Sequence, residues 1–162
     1  AVWGSQGPTI IHIAPSPAAI HVTMRHGAVM SLHDTASGPL FSAFRSQTEI
    51  KALLNHARQH APLAIARAGQ SVRTRDVPSW TEFSKMLDEI RLRRMNRSVN
   101  GIVEGVSALA VPVFDSRGQI TLALTAIGPS GAFDAAWDGA VALPLKLAAD
   151  SLTQQIGGHP PA

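Results

Sequence analysis

The chain contains no cysteine and no tyrosine in its 162 residues. Without cysteine there is no disulfide scaffold, no thiolate nucleophile and no cysteine-ligated metal. The missing tyrosine bears on charge. With 14 basic and 11 acidic side chains the net charge is only +3, yet the sequence pI is about 10.2. Nothing titrates between histidine and lysine in such a chain, so a small excess of base carries the isoelectric point upward unopposed. The pI therefore does not by itself indicate a nucleic-acid partner. Long apolar runs are also missing: none approaches the ~18 residues a membrane span needs, and no membrane partner is expected. Charge is sparse at 15% against 45% hydrophobic residues, which excludes a disordered tail.

Catalytic signatures are absent as well. There is no Gly-x-Ser-x-Gly elbow, no phosphate-cradling glycine loop and no pair of carboxylates in a recognisable frame, so the chain does not read as an enzyme. Internal repeats and low-complexity segments are lacking. What is present suits one domain with a real core, since ~150 residues bury roughly 70% of the unfolded surface. The opening residues show no initiator Met and no signal peptide. They lead to the expectation that residues 1–162 are a single domain detached from something N-terminal.

Along the chain, Thr9 to Ala14 and Ala19 to Met24 alternate apolar and polar residues around Pro15-Ser16-Pro17, which predicts an antiparallel pair. Asp34-Thr35-Ala36-Ser37-Gly38-Pro39 is a cluster of capping residues ahead of an apolar helix start. Ser46 to His60 and Trp80 to Met95 have the spacing of amphipathic helices. Val103 to Phe114 and Gln119 to Ile127 are apolar strands joined by the turn Asp115-Ser116-Arg117-Gly118. Phe133 to Ile156 reads as a long final helix that Pro144 should kink. The order ββ-α-α-α-ββ-α predicts an α+β domain, an antiparallel sheet flanked by helices.

Gly105-Val-Ser-Ala-Leu-Ala-Val-Pro-Val-Phe-Asp-Ser-Arg-Gly-Gln119, ending in Ala126-Ile127-Gly128-Pro129, resembles the signature hairpin of the C-terminal domain of IclR-type transcriptional regulators. Leu32 to Gly38 resembles that family's Ser/Thr-Ala-x-Gly helix start, and Leu87-Asp88-Glu89-Ile90-Arg91 the helix before the hairpin. The resemblance runs from about Val2 to Gly158. The sequence departs from the pattern at Met95-Asn96-Arg97 and Asn100-Gly101, where the family commonly has a glycine-aromatic turn and acidic residues.

The resemblance implies a GAF-like fold and a cytoplasmic bacterial regulator assembled as a homodimer or homotetramer. It also implies a small organic acid effector, no cofactor, and DNA contact only through an N-terminal winged helix-turn-helix that this chain lacks. Carried over by position, the effector site comprises Val22, Met30, Ala36, Ser37, Ser98, Val106, Ala108, Thr125 and Ile127. Ser37, Ser98 and Thr125 are its hydrogen-bonding members, and Val22, Met30, Val106 and Ile127 its apolar wall. The rival reading is a free-standing GAF-like signalling module acting through protein contacts.

Three other clusters have ordinary readings. His56 and His60 stand at i, i+4, a zinc-compatible spacing, but no third ligand has a motif spacing beside them. Arg91, Arg93, Arg94 and Arg97 read as a helix end whose cations suit the dipole, not as a phosphate-binding stripe. Trp3, Trp80 and Trp137 read as packing residues, Trp80 as a staple at a helix start.

Overall fold

A computed structural model describes residues 1–14, 24–59 and 76–161. Its elements are β1 (Val2–Gly4), β2 (Gly7–Thr9), α1 (Ser37–Ala43), α2 (Gln47–Gln59), α3 (Trp80–Arg93), β3 (Asn96–Val99), β4 (Val106–Phe114), β5 (Ile120–Pro129) and α4 (Ala142–Gln155). The strands form one antiparallel sheet in the order β2-β1-β5-β4-β3. The α+β class and the antiparallel sheet flanked by helices are as the sequence predicts.

The β4–β5 hairpin is the centre of the sheet, and its residue alternation sorts the core into two layers. Ala108, Ala110 and Phe114 face one side, packed with Leu40, Phe41, Ile50, Leu54, Phe83, Leu87 and Ile90 from α1, α2 and α3. Leu109, Val111 and Val113 face the other, against Met95 and against Ala142 and Ala149 of α4. Helices on both faces explain why β4 reads as a continuous apolar run and not as an alternating one. The turn Asp115 to Gly118 closes the hairpin as expected: the Asp115 carboxylate accepts from the Gln119 and Arg117 amides, which lowers its pKa.

Four expectations need correction. The strand placed at Thr9 to Ala14 ends at Thr9, and among the described residues it pairs with β1. The turn Ser5-Gln6 is the hairpin tip, and Pro8 is tolerated in β2 because β2 is an edge strand. Residues 15–23 lie outside the described set, while Met24 is described and is not in a strand. Second, β3 was not foreseen; the αL conformation of Arg94 ends α3 and turns the chain into it.

Third, the final helix begins only at Ala142. Residues before it are held in turns by Asp134, whose carboxylate accepts from the Ala136 and Ala140 amides and is thereby lowered in pKa. Fourth, Pro144 is the third residue of α4 and causes no kink. In the first turn its missing N–H is one the helix would leave unpaired anyway.

The amphipathic pair α2 and α3 is where the periodicity placed it, except that His60 lies outside the described residues. Ser79 and Glu82 form a capping box at α3, and the Ser79 hydroxyl and amide both hold the Glu82 carboxylate below its usual range. A carboxylate lowered by folding contributes stability above its unfolded pKa and loses it as pH falls through the folded value. Ser79→Ala should therefore cost about 1 kcal/mol at neutral pH. The difference from the parent should shrink in urea melts taken toward pH 3.

Candidate functional site

The loop from Ser31 to Ala36 delivers the chain into α1. Thr35 is the effective cap: its hydroxyl accepts from the Gly38 amide at 2.9 Å and donates to the Ser31 carbonyl at 2.8 Å. Ala36 has helical angles and makes no side-chain cap. All seven residues of α1 are buried, so this short helix is wedged between the sheet and α3 instead of lying on the surface.

From this position Ser37 reaches the sheet. Its hydroxyl lies 3.0 Å from the Thr125 hydroxyl on β5, across 88 residues of sequence. Beside that contact, Asn96 on β3 is buried and donates from Nδ2 to the Ala36 carbonyl at 2.8 Å and the Thr35 carbonyl at 3.3 Å. The register aligns Asn96 with Ala110 and Thr125 in one row, and Ser98 with Ala108 and Ile127 in the next. Because side chains alternate along a strand, these two rows share the face that α1 covers.

The structure thus gathers Ala36, Ser37, Ser98, Ala108, Thr125 and Ile127 at one place. Val106, paired with Pro129, continues the same face toward the open end of the hairpin. Met30 is held by its backbone, its amide donating to the Pro8 carbonyl of β2 at 2.6 Å, and the carbonyl of the next residue, Ser31, lies against Gly38 of α1. Val22 lies outside the described residues.

Two residues that sequence reasoning missed stand in this cluster. Asn96 stands in the sequence only as a departure from a pattern; its signal is a lone amide next to the apolar Met95, since a buried amide needs partners. Asp34 was read as a cap. Instead its carbonyl oxygen lies close to Gly101, and Gly101 in turn is packed so closely on Ser98 that a Cβ there would strike the Ser98 hydroxyl. Asn96→Leu should cost about 1–3 kcal/mol by urea denaturation, since it strips the Thr35 and Ala36 carbonyls of their buried donor.

A concavity lies on the opposite face of the sheet, lined by Arg93, Arg94, Val111, Pro112, Phe114, Lys146, Ala149 and Asp150. Much of its charge is engaged. Arg93 pairs with Glu89 at 2.9 Å, and Lys146 approaches Asp138 at 3.7 Å. Arg93 and Arg97 stack their guanidinium groups on Trp137 at 4.7 and 4.4 Å, so Trp137 is a packing residue held by cations. Arg91 bonds Asp88 at 2.6 Å. Among the described residues no three His, Asp or Glu side chains are grouped to hold a metal, and no helix is long and apolar enough to cross a membrane.

Comparison with known proteins places the fold. The family described as bacterial transcriptional regulator IclR C-terminal matches residues 3–154. The Glycerol operon regulatory protein of Streptomyces griseus is 31% identical over 130 residues, 80% of this chain and 45% of that protein. The HTH-type transcriptional regulator KdgR of Dickeya chrysanthemi is 27% identical over 149 residues, 92% of this chain and 46% of that protein. The chain therefore spans about half the length of the curated relatives it matches.

Among solved structures, Pseudomonas aeruginosa HmgR superposes with a TM-score of 0.81 at 25% identity, over 97% of this chain and 58% of that one. The C-terminal domain of E. coli KdgR gives 0.64 at 24% identity, over 82% and 74%. The curated relatives are transcriptional regulators, not enzymes. With a family match over nearly its whole length, this chain belongs to the IclR C-terminal family of bacterial transcriptional regulators.

Proposed function

We propose that this domain binds a small organic acid between α1 and the β3–β4–β5 face. Occupancy would control DNA binding by a winged helix-turn-helix elsewhere in the regulator. The observation that carries this reading is the Ser37–Thr125 hydroxyl contact. It joins a fully buried short helix to the sheet through two groups that can each exchange their mutual hydrogen bond for one to a ligand.

Beside it, Ala108 and Ala110 present only methyl groups, and Ser98 and Ile127 extend the wall. Such a mixture of small apolar surface and a few convergent polar groups suits a small metabolite. A ligand that replaces the Ser37–Thr125 bond shifts α1, and α1 packs on α3. Coupling of about 1–3 kcal/mol between the ligand-bound and DNA-competent states suffices for regulation. The protein acts in the cytoplasm as a homodimer or homotetramer, and it senses its ligand without turning it over.

Thermal-shift screening against a panel of organic acids tests this. At least one acid raises the melting temperature of the parent. Ser37→Trp and Thr125→Trp, checked for folding by circular dichroism, abolish that rise. Folded variants that respond like the parent would place the effector elsewhere.

A further inference from the structure

The loop feeding α1 contains a buried carboxylate with one oxygen that has no hydrogen-bond partner among the described residues. The Asp34 side chain is 9% exposed, and its Oδ2 lies 3.8 Å from His33 Nε2. Its Oδ1 is enclosed and accepts no hydrogen bond among the described residues. Polar groups nearby have other partners: the Thr35 hydroxyl bridges Ser31 and Gly38, the Ser37 hydroxyl meets Thr125, and Asn96 serves two carbonyls.

An ionised oxygen enclosed without a donor is costly, because desolvation is not repaid. The Gly38 N–H does not answer it, since it is already given to Thr35. The Asp34 backbone borders the proposed site: its carbonyl oxygen lies near Gly101, which packs on Ser98.

We propose that Asp34 is the polar selector of the effector site: its Oδ1 accepts a hydrogen bond from a donor group on the ligand, a hydroxyl or an ammonium. This rests on the site proposed above and specifies its ligand class. The effector is a substituted acid, a hydroxy or amino acid and not a plain carboxylic acid. Its donor points to Asp34, and its own carboxylate lies away from Asp34, because two carboxylates at one enclosed point repel. A site that reads a donor with a buried acceptor rejects the analogue lacking it, since the acceptor is then left unpaired.

The test uses three acid frames, each in three forms. The acids are propionate, butyrate and phenylacetate, their hydroxy forms lactate, 3-hydroxybutyrate and 4-hydroxyphenylacetate, and their amino forms alanine, 3-aminobutyrate and 4-aminophenylacetate. Calorimetric titration of the parent should show the hydroxy or the amino form of at least one frame binding about tenfold or more tightly than the plain acid. Whichever form gains identifies the donor. Asp34→Ala, which leaves no acceptor at that point, should reduce that preference to within about threefold.

A parent that binds plain acids as well as substituted ones overturns the proposal, and so does a preference that survives Asp34→Ala. If none of the nine compounds binds, the acid-effector reading itself fails, and the ligand-free protein decides the role of Asp34. Removing an unsatisfied buried carboxylate should raise the melting temperature of Asp34→Ala above the parent. A fall or no change would mean that Asp34 is a structural residue.

Discussion

Gly38→Val yields no folded domain, and Gly38→Ala loses about 3 kcal/mol of stability or more in urea denaturation, although alanine is the better helix former. A Cβ on Gly38 would strike the Ser31 carbonyl oxygen and lie 2.8 and 2.9 Å from the Leu32 carbonyl carbon and Cα. All three are backbone atoms, so no side chain can swing aside. The loop is also held where it is, since Thr35 ties Ser31 to Gly38 through its hydroxyl. Helix propensity favours alanine over glycine by about 1 kcal/mol, which the clash exceeds. Gly131→Ala is the control: open space surrounds that position, and the expected change is within about 0.5 kcal/mol. A Gly38→Ala protein as stable as the parent would mean that the Ser31–Ala36 loop can move aside, and that the site beside it is softer than its hydrogen bonds indicate.

The same residue shows what was legible before the structure. Ala36-Ser37-Gly38 was readable as a helix start with small residues, and α1 does begin at Ser37. The reason for the smallness was not readable. It reflects the return of a neighbouring loop, a contact no local pattern encodes. The β4–β5 hairpin was the most legible element because its turn chemistry and its apolar runs agree.

The least legible parts were governed by tertiary contacts. Strand β3 is four residues whose alternation is too short to register, and β1–β2 is a three-residue pairing around Ser5-Gln6. The stretch before α4 has helical composition, but Asp134 captures two amides and holds it in turns. Of the nine positions assigned by resemblance, the strand members Ser98, Ala108, Thr125 and Ile127 converge through register. Register is a property of the fold, so a positional match transfers best where pairing fixes the neighbours. Asp34 and Asn96 escaped notice because their significance depends on burial.

Phe41→Ala should lower stability by about 3–5 kcal/mol, against a total of about 5–15 kcal/mol for a domain of this kind. Phe41 is fully buried in the layer between the sheet and helices α1, α2 and α3, with its ring 5.9 Å from that of Trp3. Truncation loses the transfer energy of the ring and leaves a cavity that the neighbours, Leu40 and Phe83 among them, can only partly fill. At about 2–4 °C per kcal/mol, the melting temperature should fall by roughly 6–20 °C.

The effect should not stop at stability, because Phe41 and Ser37 lie one turn apart on the same short helix. A cavity beneath Phe41 frees α1 to rock, which loosens the Ser37–Thr125 contact and with it the geometry that a ligand meets. Val111→Ala tests whether this link is specific. Val111 is equally buried but belongs to the opposite layer, against α4. It should cost stability while leaving any acid-induced melting shift at its parental size, whereas Phe41→Ala should reduce that shift. Equal losses of response in both variants would attribute the effect to general softening, and α1 would not be the element through which occupancy is read.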